Sequence, residues 1–302
     1  MDFMDKQLTE VTGGTIRAQL LTDMARITYR STGDLQEARK RFTAALQEDP
    51  TYARAKLGRA EVLIESDNTN EAEKLLLEAM ETLSIDKDRQ DEYIEALMLL
   101  ARVFEATDRA GEAYRRLTAA ARISPDNLNI RSAIVRNRHV AGRHRDAVTA
   151  AEHVEQQLAE GIERTAEHMR LVSDIFVLGA LSEIEMKKPD DAVERLIRAA
   201  ELDPSNPAAI EPLVGLLQER GRLEEAARYS ARLARQTPEP GVRGQRYVEA
   251  GMLFHDAAAA LADGADGAET ASEAELRKAA FENLRLGLEL VEETGDTLLD
   301  RA

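Results

Sequence analysis

Apolar side chains recur along most of this chain at steps of three and four, the period of one buried helix face, and the runs break at short polar turns. From about residue 15, Leu20, Leu21, Met24, Ile27 and Thr28 keep that step until Ser31-Thr32-Gly33-Asp34 interrupts it. Glycine there supplies a helix end, and Asp34 an N-cap for the next helix. This second helix carries Ala38, Phe42, Ala45 and Leu46 on one face and stops at Asp49-Pro50. Small residues let the two helices of such a hairpin approach closely, while Phe42 fills the volume between neighbouring hairpins. The grammar returns with Leu97, Leu100, Ala101 and Phe104 ahead of a turn at 107–109, then Ala113, Leu117, Ala120 and Pro125. It returns again with Ile210, Leu213, Val214 and Leu217, the turn Gly221-Arg222, then Ala226, Leu233 and Pro238.

Six alanines open the second helices, Ala38, Ala72, Ala113, Ala147, Ala192 and Ala226, at intervals of 34, 41, 34, 45 and 34 residues. A fixed period of this size means an array in which each unit is a hairpin that buries its apolar face only by stacking on its neighbours. The pattern predicts six hairpins over 15–240, preceded by a flexible leader at 1–14. The longer intervals predict lengthened helices at 88–107 and 162–186, and an evolved unit of two repeats. Beyond Pro238 the pattern loosens into a helix over 242–261, an alanine-, glycine- and acid-rich insertion at about 262–275, and a helix with Ala280, Leu284, Gly287 and Leu290. Residues 241–302 therefore read as a divergent seventh hairpin, and the ends as those of a segment excised from a longer array.

The stretches "GDLQEARKRFTAALQEDP" and "GRLEEAARYSARLARQTP", with an alanine opening and a proline closing the second helix, resemble the tetratricopeptide repeat (TPR) family over about 15–238. The family's early tryptophan is replaced by residues such as Thr22, Leu97, Phe176 and Ile210. The resemblance implies an all-α, right-handed superhelical α-solenoid of about six to seven hairpins whose first helices line a concave groove. It also implies a protein or peptide partner held in that groove.

Composition agrees with an all-α chain: alanine, leucine, glutamate and arginine dominate, aromatics are 4%, and tryptophan is absent. A net charge of -16 repels phosphate backbones, which argues against nucleic acid as the main partner. Zero cysteines remove disulfides, thiolate metal sites and cysteine nucleophiles together. No basic start leads into an apolar run and no stretch approaches 18 apolar residues, so neither a signal peptide nor a membrane span is expected. A cytoplasmic location is the default expectation, with a periplasmic one standing if a targeting segment precedes the chain. No G-x-S-x-G elbow, H-E-x-x-H pair or phosphate loop occurs, so no catalytic, cofactor or metal site is expected. The "AEH" at 151–153 and at 166–168 would put His153 and His168 on neighbouring helices, and two solvated positions are the plainer reading.

One run departs from the acidic background. Residues 131–145, "RSAIVRNRHVAGRHR", hold five arginines, two histidines and no acid. In the family's register Arg136 and His139 point into the groove, and Arg102, 34 residues before Arg136, takes the equivalent place one hairpin earlier. With Asn129 and Asn137 they form a candidate grip for a carboxylate or acidic peptide, which arginine suits by its bidentate geometry. The competing reading is that these arginines pair with acids of adjacent helices. The family's carboxylate clamp also uses lysines that are missing here. Apolar inner positions, Leu20, Ile27, Leu57, Met98, Val177, Leu181 and Ile184, offer a second surface, for an amphipathic segment, against which stands simple core packing. The functional expectation is a non-enzymatic interaction scaffold. Its rivals are a sensor domain of a longer protein that answers a peptide ligand, and a self-assembling scaffold forming homo-oligomers.

Overall fold

The computed structural model describes residues 8, 11, 13–84, 86–161, 163–262 and 271–294, and among them every regular element is helical. The chain divides into two units, residues 1–141 and 142–302. The first holds α1 (Gly14–Thr32), α2 (Leu35–Glu48), α3 (Ala53–Glu65), α4 (Thr69–Leu83), α5 (Gln90–Ala106), α6 (Ala110–Ile123) and α7 (Leu128–Val140). The second holds α8 (His144–Glu160), α9 (Ala166–Glu185), α10 (Pro189–Leu202), α11 (Pro207–Glu219), α12 (Leu223–Gln236), α13 (Pro240–Ala262) and α14 (Glu273–Thr294). Within each unit consecutive helices pack on one another, and first helices also meet the next first helix, α1 on α3, α3 on α5 and α9 on α11.

Every hairpin turn from Gly33 to Gly221 passes through one left-handed residue: Gly33, Asp67, Asp108, Gly142, Lys187 and Gly221, with φ between 58° and 70°. That conformation costs a side-chain-bearing residue about 1–2 kcal/mol, so Asp67, Asp108 and Lys187 hold it only because the helices on either side fix it. The turn residue also gives every first helix a common register. Packing between hairpins is tight where Phe42 (1% exposed) is buried with Ala25, Ala38 and Val62. A Cβ on Gly58 would stand 2.3 Å from the Phe42 ring, so only glycine admits the aromatic side chain there.

First helices alternate in length. The first, third, fifth and seventh of them, α1, α5, α9 and α13, have 19, 17, 20 and 23 residues, while the second, fourth and sixth, α3, α7 and α11, have 13 each. The short ones come directly after compact turns at Pro50, Pro125 and Pro204. In the first of these, Asp49 Oδ1 accepts from the Thr51 amide at 2.9 Å and hydroxyl at 2.7 Å; in the third, Asp203 does the same for Ser205 at 2.9 and 2.6 Å. An N-cap then starts the helix at once, as Asn127 and Asn206 do for α7 and α11. The length of α1 went unnoticed in the sequence because no preceding interval measures it.

Most of the expected leader, and residues 263–270 of the expected insertion, lie outside the described residues, as does the chain end at 295–302. Leu8 is described as half-buried against Ala18 and Leu21, and the Arg17 guanidinium donates to the Leu8 and Val11 carbonyls at 2.6 and 3.2 Å. At the far side of the insertion Ser272 and Glu275 form a capping box, the Glu275 carboxylate accepting from the Ser272 amide at 2.7 Å, so α14 begins at Glu273.

Candidate partner-binding face

Counting back from the left-handed turn residue fixes what each first helix presents. Six residues before it stand Ile27, Glu61, Arg102 and Arg136 in the first unit, and Leu181 and Gly215 in the second. Four residues before it stand the half-buried Tyr29 and the buried Leu63 (0% exposed), Phe104 (2%), Arg138 (8%), Glu183 (3%) and Leu217 (0%).

On the first unit this face is laced with ion pairs between different helices. Arg54 Nε meets Glu92 at 3.0 Å, Arg102 Nη2 meets Glu65 at 2.5 Å, and Arg26 reaches past α3 to Glu95 on α5 at 3.2 Å. Burial pushes the Glu95 carboxyl above the usual carboxylate range, and the Arg26 guanidinium only partly offsets it. Tyr29 and Tyr52 are likewise raised, first by burial, with Arg102 pulling back on Tyr29 and Arg54 on Tyr52.

The structure separates the five expected contact residues. Arg102 is committed to Glu65, as the ion-pair reading supposed. Arg136 is exposed and has no hydrogen bond or ion pair among the described residues. The reason is local: the partner of Arg102 lies 37 residues before it, and 37 before Arg136 stands Leu99. Asn129 is exposed beside the N-cap Asn127, and His139 is half-buried on α7. Asn137 does not reach the face. It is 2% exposed, its amide donates to Glu105 at 2.7 Å, and its oxygen accepts from Arg138 Nε at 3.2 Å. Arg138 in turn lies 3.8 Å over the Tyr114 ring. Asn137 is thus a positioning residue for its neighbours, because one helical step turns it from the face into the contact between α5 and α7. Among the apolar candidates Leu57 (0% exposed) and Val177 (5%) are core, whereas Ile27 is 50% exposed.

In the second unit the charge lies inside. Arg195 on α10 grips Glu183 of α9 with Nε at 3.1 Å from both carboxylate oxygens and Nη2 at 2.8 Å from Oε1. Its Nη1 lies 3.3 Å from Glu155 of α8, which also holds Arg198. A Cβ on Gly179 would approach Arg195 Cδ to 2.9 Å, so glycine clears the path of the guanidinium. Burial pulls the Arg195 guanidinium down, but the hydrogen bonds to Glu183 and the charges of Glu183, Glu155 and Glu152 together hold it above its ordinary value. These side chains floor a cleft of about 680 Å³ whose rim includes Glu152, Asp191 and Glu194. Sequence reasoning missed this set, because the same register position holds Tyr29, Leu63, Phe104, Arg138 and Leu217 in the other hairpins and does not single out Glu183.

Among the described residues no group of three or more histidines and acids could hold a metal, and none of their helices is long and apolar enough to cross a membrane. His168 Nδ1 is engaged by the Glu163 carbonyl at 2.8 Å. A family model described as tetratricopeptide repeat matches residues 29–103 and 183–245. The chain is similar in structure to the C-terminal part of a TPR repeat-containing protein from Cytophaga hutchinsonii, with TM-score 0.59 and 13% identity over 92% of this chain and 96% of that one. It is also similar to a tetratricopeptide repeat protein from Parabacteroides merdae, with TM-score 0.53 and 12% identity over 90% and 98%. YrrB, a TPR protein with an unusual peptide-binding site, gives 0.46 at 18% identity over 64% and 90%. No curated protein matches the chain.

Proposed function

Because this chain belongs to the tetratricopeptide repeat family, we propose that it is a non-enzymatic scaffold that holds a protein or peptide partner on the first-helix face of its first unit. Repeats of this kind serve protein interaction in general, and a row of first helices supplies one continuous surface for it. The observation that carries the reading is Arg136, an exposed guanidinium with no partner among the described residues, in the register that Arg102 occupies one hairpin earlier. A planar fork left free beside His139 and Asn129 favours a carboxylate, so the partner segment is acidic or ends in its own carboxylate. Arg102 joins by exchanging Glu65 for the ligand, an exposed pair that costs little to break.

Fluorescence anisotropy with matched acidic and basic peptides tests this. Acidic peptides bind, and Arg136→Ala weakens them about tenfold, in line with the loss of one charge-assisted hydrogen bond. Equal binding of acidic and basic peptides, or no change in Arg136→Ala, overturns the site and leaves the family assignment in place.

A further inference from the structure

Large apolar side chains that stay exposed gather on the α13–α14 hairpin of the second unit. Met252 is 58% exposed, Phe281 68% and Leu288 48%. The hairpin closes without them. A Cβ on Gly287 would stand 2.7 Å from the Gly244 carbonyl and from Val248 Cγ2, and one on Gly251 would stand 2.6 Å from Leu284 Cγ. Backbone approach at these glycines seals α13 to α14 and leaves Phe281 and Leu288 one side round the helix. At 100° per residue Leu284, Leu288 and Phe281 form one stripe of α14, and Met252 lies on the same side of α13, opposite the buried Ala250, Leu253 and Ala257.

The stripe has a counterpart that shows what such a side does. Setting the buried Ala226 and Ser230 of α12 on the buried Leu276 and Ala280 of α14 brings Ala231 opposite Phe281 and Ala234 opposite Leu284. Ala231 is 5% exposed and Ala234 0%, in a helix that packs on α13. On α12 this side receives the next helix; on α14 the same side is larger, apolar and open.

We propose that a second copy of this chain docks there, α14 against α14 in antiparallel fashion about a two-fold axis near Leu284 and Arg285. The sequence of α14 is self-complementary about that point. Reversal puts Phe281 against Leu288 of the partner subunit, and Arg277 against Glu292 of the partner subunit, so the apolar centre is flanked on both sides by opposite charges, while Arg285 at the axis is turned toward Glu289 of its own helix at 3.8 Å. Glu292 is exposed, and Arg277 holds only the exposed Glu273 one turn away at 2.6 Å, a contact that yields readily. A parallel pairing would set Arg277 beside a second Arg277 and lose the complementarity. An apolar stripe rimmed by charge is the composition of a dimer surface and not of a solvated helix. This surface is independent of the Arg136 reading and of its test.

Sedimentation equilibrium of the full chain gives the answer. The wild-type mass rises from monomer to dimer with concentration, and Phe281→Glu weakens association at least tenfold while the circular dichroism spectrum is unchanged. Arg277→Glu and Glu292→Arg each weaken the homodimer, yet an equimolar mixture of the two restores a dimer, because in the mixed pair both flanking contacts again join opposite charges. A monomeric wild type up to about 100 µM, a dimer indifferent to Phe281→Glu, or a mixture that fails to pair overturns the proposal.

Discussion

Six residues ahead of its turn the α5–α6 hairpin presents Arg102, with 38% of that side chain exposed, and four ahead it buries Phe104; at the same two places α9–α10 presents the half-buried Leu181 and buries Glu183. Two hairpins of one register have exchanged their polar and apolar layers. The exchange is possible because each layer is closed differently. Six residues ahead of the turn, Arg102 and Arg136 reach water, where an ion pair is worth about 0–1 kcal/mol and a missing partner, as at Arg136, is tolerated. In the second unit a carboxylate 3% exposed survives only with all its oxygens engaged, which Arg195 achieves by a bidentate grip and Gly179 by giving it room. At the face position the second unit has Leu181 and Gly215 where the first has Glu61, Arg102 and Arg136.

The sharpest way to break this contrast is Glu183→Ala. It leaves the Arg195 guanidinium buried without its main partner and lowers unfolding stability by about 3–5 kcal/mol, read from urea denaturation. The double variant Glu183→Leu with Arg195→Met restores the apolar layer of α5–α6 and recovers stability to within about 1 kcal/mol of the wild type. A double variant as weak as the single one would mean that the layers are not interchangeable. Gly179→Ala comes next. Its methyl group meets Arg195 Cδ at 2.9 Å and Ala151 Cβ at 3.0 Å and costs about 1–3 kcal/mol, while the cost shrinks in the Arg195→Ala background, where the Cδ is gone and only the Ala151 contact is left.

How much of this could be read from the chain depends on whether a residue's fate is set locally. The turn at Gly33-Asp34, the Phe42 wedge and the Asp-Pro stops are local patterns, and the helices fall where periodicity and capping place them. Helix α9 was expected over 162–186 and spans Ala166–Glu185, because Thr165 caps it by accepting from the His168 amide at 3.1 Å. The candidate face was only partly legible. Arg102 and Arg136 share a register that sequence spacing reveals, but whether each is paired depends on what lies 37 residues earlier, Glu65 in one case and Leu99 in the other. Asn137 looked like a groove residue beside Arg136, and a 100° step turns it inward. Glu183 looked like any solvated acid, because burial of a charge is decided by partners on α8 and α10 that no periodicity announces.

Smaller effects test the exposed layer. Arg102→Ala removes the contact to Glu65 and shifts stability by no more than about 1 kcal/mol, a difference that shrinks further when thermal melts are repeated in high salt. A shift of several kcal/mol would show that the face of the first unit is held as tightly as the buried pair of the second, and the contrast between the two hairpins would fail.

The smallest effect has a sign that separates burial from pairing. Glu95 meets Arg26 at 3.2 Å, yet its carboxyl is raised, burial outweighing the attraction. A carboxyl raised on folding binds its proton more tightly in the folded chain, so in the window above the ordinary carboxylate value and up to the raised one, stability falls as pH rises. At neutral pH the charged Glu95 therefore weakens the fold slightly, and Glu95→Gln, which keeps the shape and removes the charge, is more stable than the wild type. With 41% of the side chain exposed, solvent screening holds the gain below about 0.5 kcal/mol. Below the ordinary carboxylate range both chains carry a neutral group and the difference closes. Paired thermal melts at the two pH values measure it, and a variant less stable at neutral pH would mean that the bridge from α1 to α5 contributes more than burial costs.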